Sequence, residues 1–239
     1  MPQRLEEYRL RLEAVELLRL LRRAGMSYQE LEEATGVPRS SLAQYVTGQR
    51  LPSTGQAMTI LEALLSRSPP VKLIASRLER LDSVSDLGDA VLDPLILRYA
   101  SLWAAYRFRG RIDTVLSAET YGVPLAAAIA MALDARLVIA RRAPGGSRAY
   151  IKAEGGEPPL GVKTLYIPSD MVPAGSRVLL VDDLARTGAT LEALARGVRE
   201  AGAAAAAALV VLALGREWRS RLERLGVADV YALLELGLG

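Results

Sequence analysis

The chain has 239 residues, 51% of them hydrophobic, and a net charge of +3, which leaves room for one large or two small domains with a real core. It has neither cysteine nor histidine, which excludes a disulfide framework and thiol chemistry, removes the commonest general base and argues against a zinc site. No run of 18 apolar residues occurs and the Arg/Glu-rich start lacks a signal peptide's apolar core, so the expectation is a cytoplasmic protein with no membrane partner.

Gln3 to Ala24 carries Leu5, Leu12, Val15, Leu18 and Leu21 near helical spacing among Arg and Glu, which predicts an amphipathic helix closed by Gly25. Ser27 to Glu30 is a capping box that opens a second helix through Ala34. Gly36 breaks it, and Pro38 starts a third helix to about Val46. A fourth is predicted from about Thr54 to Ser66.

Two short helices joined by a Gly turn form the helix-turn-helix pattern. Ala34 to Pro38, the helix Arg39 to Val46 and the trailing Thr47 to Ser53 resemble the repressor type. The resemblance implies operator DNA as partner, with Arg39, Ser40, Ser41 and Gln44 outward in the major groove and Gln49 and Arg50 at the backbone. The residue types suit that work: Arg pairs with guanine, Gln with adenine, and Ser with bases or phosphates. A helical bundle used only for dimer contacts is the alternative. The 12 basic and 9 acidic residues of the first 80 add little to either reading.

Ser66 to Val71 is a Pro-containing break. The expected organisation is a helix-turn-helix domain over 1–68, a linker helix within 69–84 and a ligand-binding domain over 85–239. Leu87 to Arg107 has an apolar face of Val91, Leu95 and Leu102, with Trp103 and Tyr106 as core or dimer surface. From Ile112 the pattern alternates. Strands are predicted over 112–116, 137–140, 163–167, 177–181, 207–214 and 227–233, with helices over 123–133, 191–201 and 217–225. Such alternation implies an α/β fold with right-handed crossovers and a mostly parallel sheet.

Val178 to Val181 is an unbroken apolar run suited to a parallel strand covered on both faces. Asp182 and Asp183 follow at its carboxyl end, where open α/β sheets bind ligands. Ala185, Arg186, Thr187, Gly188, Ala189 and Thr190 then supply backbone N–H groups and hydroxyls at a helix start, which favours an anion. One carboxylate pair beside one phosphate cradle suits a sugar phosphate. The carboxylates accept from ribose hydroxyls, directly or through a divalent cation, and the loop takes the 5′-phosphate.

The order apolar strand, Asp-Asp, three residues, Thr-Gly-x-Thr resembles the phosphoribosyl diphosphate (PRPP) signature of the type I phosphoribosyltransferases. The adenine-type version is nearest, with Arg186 where a small residue is usual. The resemblance implies that family's mostly parallel sheet, here preceded by a small all-α helix-turn-helix domain, with PRPP or a nucleotide as ligand and Mg²⁺ accompanying PRPP. It places Ala118, Glu119 and Thr120 in the loop that holds pyrophosphate, often through a strained peptide bond, and Tyr121 at the adenine-type aromatic position. Read alone, that stretch fits a plain strand-to-helix turn equally. Arg141 to Gly161 stands where the family has its catalytic hood, so that Arg141, Arg142, Arg148 and Lys152 meet diphosphate oxygens; a solvated hairpin is the alternative. The last segment resembles the strand beside the base, with Tyr231 on the base side.

Turnover would need a group that manages the base's proton. The orotate branch uses a Lys and His pair, and this chain has no His. Adenine-type chemistry stays open, with Asp182, Asp183 and Glu119 as catalytic candidates and Glu154 and Glu157 in reserve. A DNA-reading module joined to this fold resembles the bacterial purine repressors and the archaeal phosphoribosyltransferase-like transcription regulators. The function implied is a homodimeric DNA-binding regulator of purine metabolism that senses PRPP or a nucleotide. The alternative is an active purine phosphoribosyltransferase making a nucleoside 5′-monophosphate and diphosphate.

Overall fold

A computed structural model describes residues 2–66, 74, 91–146, 149–155 and 163–237. It opens with four helices, α1 (Pro2–Arg23), α2 (Tyr28–Thr35), α3 (Arg39–Thr47) and α4 (Thr54–Ser66). The capping box forms as expected: the Glu30 N–H donates to Ser27 Oγ at 3.1 Å, and the Ser27 N–H donates to Glu30 Oε2 at 2.7 Å. The linker helix expected within 69–84 lies outside the described residues, apart from Ile74, which is buried.

The helix α5 (Pro94–Phe108) begins at Asp93, whose carboxylate accepts the Leu95 N–H at 2.8 Å. After it come β1 (Thr114–Ala118), α6 (Gly122–Leu133), β2 (Arg136–Ala140), β3 (Tyr150–Gly155), β4 (Lys163–Pro168), β5 (Arg177–Ala185), α7 (Ala189–Glu200), β6 (Ala204–Leu214), α8 (Glu217–Arg224) and β7 (Asp229–Leu236). Five strands form one parallel sheet in the order β2-β1-β5-β6-β7.

Two differences from the sequence expectation shape the surroundings of the site. The strand at 163–167 pairs antiparallel with β3 in a separate ribbon, joined to the end of β2 by the Arg141–Tyr166 bridge. The reason is the short connection from Gly155 to Lys163, because a parallel pair needs a crossover of a dozen residues or more. And β5 continues past Val181 to Ala185, because β6 runs beside it with Leu184 opposite Leu212 and Ala185 opposite Ala213. Both aspartates therefore sit within the strand.

Two apolar layers cover the sheet. On one face α7, α8 and the β3–β4 ribbon enclose Leu180, Val210, Leu194 and Trp218. On the other, α5 and α6 cover Leu179, Val181 and Leu209, and the same cluster runs without a break into Leu17, Leu18, Leu61 and Leu64 of the N-terminal helices. Polar contacts tie the two parts together. Tyr99 Oη donates to the Leu64 carbonyl at 3.2 Å, Arg109 pairs with Glu13 at 2.5 Å, and Arg9 Nη2 donates to the Ala132 carbonyl at 3.3 Å. At the sheet's opposite end Arg177 grips Asp113 through both side chains at 2.8 Å and 3.0 Å, which holds the Asp113 carboxyl down at about 2. That clamp aligns the starts of β1 and β5. Among the described residues no helix is long and apolar enough to cross a membrane.

Candidate functional site

The strands β1 and β5 are neighbours, yet their chains leave in opposite directions, β1 toward β2 and β5 toward β6. This is a topological switch point, and the crevice at the carboxyl ends of such strands is where open α/β sheets bind ligands. Asp182 and Asp183 of β5 and the Glu119 loop after β1 meet there, since Ser117 stands opposite Val181.

The two walls touch. The helix α6 starts at Gly122, where an added Cβ would lie 2.6 Å from Ser117 Oγ and 3.0 Å from Asp182 Oδ1. Only glycine lets this helix end close onto the carboxylate. The Glu119–Thr120 peptide is cis, the Glu119 N–H donates to the Ala140 carbonyl at 3.0 Å, and the Glu119 carboxylate accepts the Arg142 N–H at 3.2 Å. Glu119 thus ties the loop to the root of the following segment, while Thr120 and Tyr121 are exposed at its tip. Asp182 Oδ1 accepts the Asp183 N–H at 3.1 Å. Burial, and then the Asp183 carboxyl beside it, push the Asp182 carboxyl well above the usual carboxylate range.

Beyond the carboxylates, Ala185 is buried and Arg186 exposed, and Thr187 and Gly188 lead into α7. Gly188 has φ +78°, and a Cβ there would lie 2.8 Å from the Cα of Trp218. The helix begins at Ala189, two residues earlier than its apolar pattern implied, so Ala189 and Thr190 form its first turn. The Ala189 N–H donates to Thr187 Oγ1 at 3.4 Å. The N-termini of α6 and α7 therefore both flank the carboxylate pair, giving one negative centre between two positive helix ends. That pattern accepts a ligand with hydroxyls in its middle and phosphates at its ends.

Not every expected residue joins this group. Tyr231 packs its ring 5.0 Å from Trp103 and 5.9 Å from Phe108 on the α5 face of the sheet, and its hydroxyl donates to Asp229 and accepts from Arg107. Strand alternation put it there: it is level with Val181 and shares that residue's face, whereas Asp182 is one step further. Arg142, Lys152 and Glu154 are exposed on the segment expected to form the hood, and Arg148 and Glu157 lie outside the described residues. Arg141 lines a cavity of about 740 Å³ with Leu137, Ile139, Tyr150 and Asp170, at the free edge of β2. Ile151, Ala153, Leu165 and Ile167 bury the inner face of the ribbon with α7. Trp218, whose backbone meets Gly188, was missed by sequence reasoning; only its size, in a mostly charged helix, marked it.

The DNA-reading candidates sit together on α3 and its exit. Leu42 and Tyr45 are buried, while Arg39, Ser40, Gln44 and Arg50 are exposed and Ser41 is half-buried. Glu32 of α2 accepts the Arg39 N–H at 3.2 Å and pairs with its guanidinium at 2.8 Å, which fixes the turn between the helices. The Arg50 N–H donates to the Gln44 carbonyl at 3.3 Å and folds the exit loop back on α3.

Residues 89–225 match the phosphoribosyl transferase domain family, and residues 17–66 match a helix-turn-helix family. The chain belongs to the phosphoribosyl transferase domain family. It is 36% identical over 129 residues to HGPRTase-like protein 1 of Halalkalicoccus jeotgali, covering 52% of this chain and 67% of that one. It is 30% identical over 185 residues to the hypoxanthine/guanine phosphoribosyltransferase of Methanococcus voltae, covering 74% and 91%. The adenine phosphoribosyltransferase of Thermoanaerobacter pseudethanolicus superposes with a TM-score of 0.56 at 26% identity, covering 62% and 86%. The phosphoribosyl transferase fold is thus joined here to a helix-turn-helix. Members of such a family take PRPP with a divalent cation. Two carboxylates at an open crevice suit Mg²⁺, which keeps waters and shares its shell with the oxygens of a bound ligand; among the described residues no cluster of three or more metal-ligating side chains occurs.

Proposed function

We propose that this protein is a cytoplasmic DNA-binding regulator of purine nucleotide metabolism whose phosphoribosyl transferase domain takes PRPP or a purine nucleotide. The observation that carries the reading is the uninterrupted core joining the helix-turn-helix, through α5 and α6, to the domain that holds the crevice. A reader of DNA built into the body of a ligand site has the connection a sensor needs.

In this reading Ala185, Arg186, Thr187, Gly188, Ala189 and Thr190 hold the 5′-phosphate. Asp182 and Asp183 accept from the ribose hydroxyls, and Mg²⁺ accompanying PRPP supplies charge to the diphosphate. Ala118, Glu119 and Thr120 line the diphosphate side, with Arg142 and Lys152 within the neighbouring segment, and Tyr121 lies toward the base. Arg39, Ser40, Ser41 and Gln44 face the major groove, and Arg50 the backbone. A homodimer would set two recognition helices roughly 34–36 Å apart, one helical turn of DNA. The domain limits 1–68, 69–84 and 85–239 belong to the same proposal.

The test is an operator titration with and without saturating PRPP or AMP. An affinity that changes supports the sensor; absence of DNA binding at low salt overturns it. A second reading, an active purine phosphoribosyltransferase, is favoured by the names of the relatives, adenine and hypoxanthine/guanine phosphoribosyltransferases, of which the matched stretch spans between 60% and 91%. Release of diphosphate from PRPP with adenine, hypoxanthine or guanine would establish it.

A further inference from the structure

The helix α8 has no part in the ligand-binding motif, yet its first turn lies directly against the phosphate loop. An ideal Cβ on Gly188 would fall 2.8 Å from both the Cα and the Cβ of Trp218 and 3.2 Å from its carbonyl oxygen. The two backbones therefore meet with nothing between them, thirty residues apart in sequence. Behind that contact Trp218 is completely buried, in the same apolar cluster as Leu191 and Leu194 of α7 and Leu222 of its own helix. A pair between Arg221 and Glu192 at 3.2 Å fastens α8 to α7 one turn further on.

A second observation sets Trp218 apart from ordinary core. Among the described residues nothing accepts a hydrogen bond from its buried Nε1–H. A buried donor left unpaired costs stability, and a phenylalanine would fill most of the same space without that cost.

From these contacts, and resting on the reading of Thr187 to Thr190 as a phosphate cradle, we infer that Trp218 is a positioning residue for the phosphate loop. A cradle of backbone N–H groups works only if each group is held within about 0.5 Å of its place. Gly188, with its left-handed φ, has no side chain with which to hold itself. The first turn of α8, wedged in place by the indole, supplies the fixed surface against which the loop rests. The ligand never touches Trp218; it binds a loop that Trp218 keeps in shape.

Ribose 5-phosphate is the probe, because it presents the 5′-phosphate and ribose hydroxyls without a base or a diphosphate. The chain has two tryptophans, so Trp103→Phe leaves Trp218 as the sole indole reporter in an otherwise intact protein. Titration of that variant is expected to change Trp218 emission with the same midpoint as calorimetric binding to the unmodified protein. Trp218→Ala is expected to weaken ribose 5-phosphate by roughly tenfold or more, the size seen when a group that orients a binding element is lost. Trp218→Phe, which keeps the wedge, is expected to restore affinity without lowering the melting temperature. Calorimetric binding with no change in Trp218 emission, and equal affinity in Trp218→Ala, overturns the positioning role while leaving the phosphate cradle standing. No calorimetric binding to the unmodified protein removes the cradle itself and the inference with it. If Trp218→Ala fails to fold, the emission titration and the Trp218→Phe affinity decide alone.

Discussion

Asp182 holds its proton more tightly in the folded chain than in the unfolded one, because burial and the neighbouring Asp183 disfavour its charge. The folded state then binds more protons than the unfolded state above the ordinary value of 3.8, so stability falls as the pH climbs from there through the raised value. Asp182→Asn keeps the shape and removes the penalty. In the presence of a chelator its melting temperature should exceed that of the unmodified protein at pH 8, with the gain shrinking toward pH 4. A gain independent of pH would assign the effect to something other than the buried charge. The same change together with Asp183→Asn should abolish PRPP binding in calorimetry, so that the site is kept for its ligand at the expense of the fold. On α3, Arg39→Ala and Gln44→Ala should each cost about 1–3 kcal/mol in operator affinity if they read bases, with specificity relaxed at one position. Equal weakening on all sequences would instead assign that residue to the phosphates.

Among elements, the loop at Thr187 and Gly188, the proposed phosphate cradle, shows how little local sequence fixes its shape. Thr187 and Gly188 are compatible with many turns, and what selects one is α7 starting at Ala189 and α8 closing from the side. Gly188→Ala would meet two obstacles at once. Its φ of +78° costs a residue with a Cβ about 1–2 kcal/mol, and the new methyl would overlap the Trp218 backbone. Urea unfolding should show a loss larger than the conformational cost alone, and ribose 5-phosphate affinity should fall with it. A loss of only about 1 kcal/mol would mean that α8 gives way easily. The helix α6 plays the matching part on the other wall, with its first residue against Asp182 and its last turn receiving Arg9 of α1.

At the scale of the whole molecule, the shared core makes a mechanical prediction. Leu17, Leu18 and Leu64 of the helical part and Leu179, Val181 and Leu209 of the sheet belong to one apolar cluster, bridged by Tyr99 and by the Arg109–Glu13 pair. Calorimetry should therefore show one cooperative unfolding transition, with agreement between calorimetric and van't Hoff enthalpies. Two separated transitions would mean that the interface contributes little. One cooperative body also bounds the proposed regulation. In that proposal a ligand at the N-terminal end of α6 can bias the helix-turn-helix only through its different affinity for two arrangements of that body. The expected coupling is roughly 5–150-fold in operator affinity, and operator DNA must change PRPP affinity by the same factor. Unequal factors in the two titrations would show that the species compared are not the same.

The sequence by itself determined what depends on neighbours along the chain. The capping box at Ser27, the turn at Gly36, the buried strand Val178 to Val181 and the carboxylate pair after it are local patterns with local causes, and each appears where the residues put it. The parallel sheet followed from the alternation of strand and helix for the same reason. What only the tertiary structure decided depends on residues far apart in number. The face of β7 that Tyr231 occupies was set by register across two strands, and it sent the ring to Trp103 instead of the crevice. The reach of β5 to Ala185 was set by the length of β6 beside it. The fusion of the helix-turn-helix with the sheet's core came from α5, whose Tyr99 reaches Leu64 of α4 while its Phe108 packs against Tyr231 of β7. And the contact of Trp218 with Gly188 joins two backbones at a point where one of them carries no side chain. Periodicity reports which side of an element is buried, but the identity of what covers it is a property of the packed chain alone.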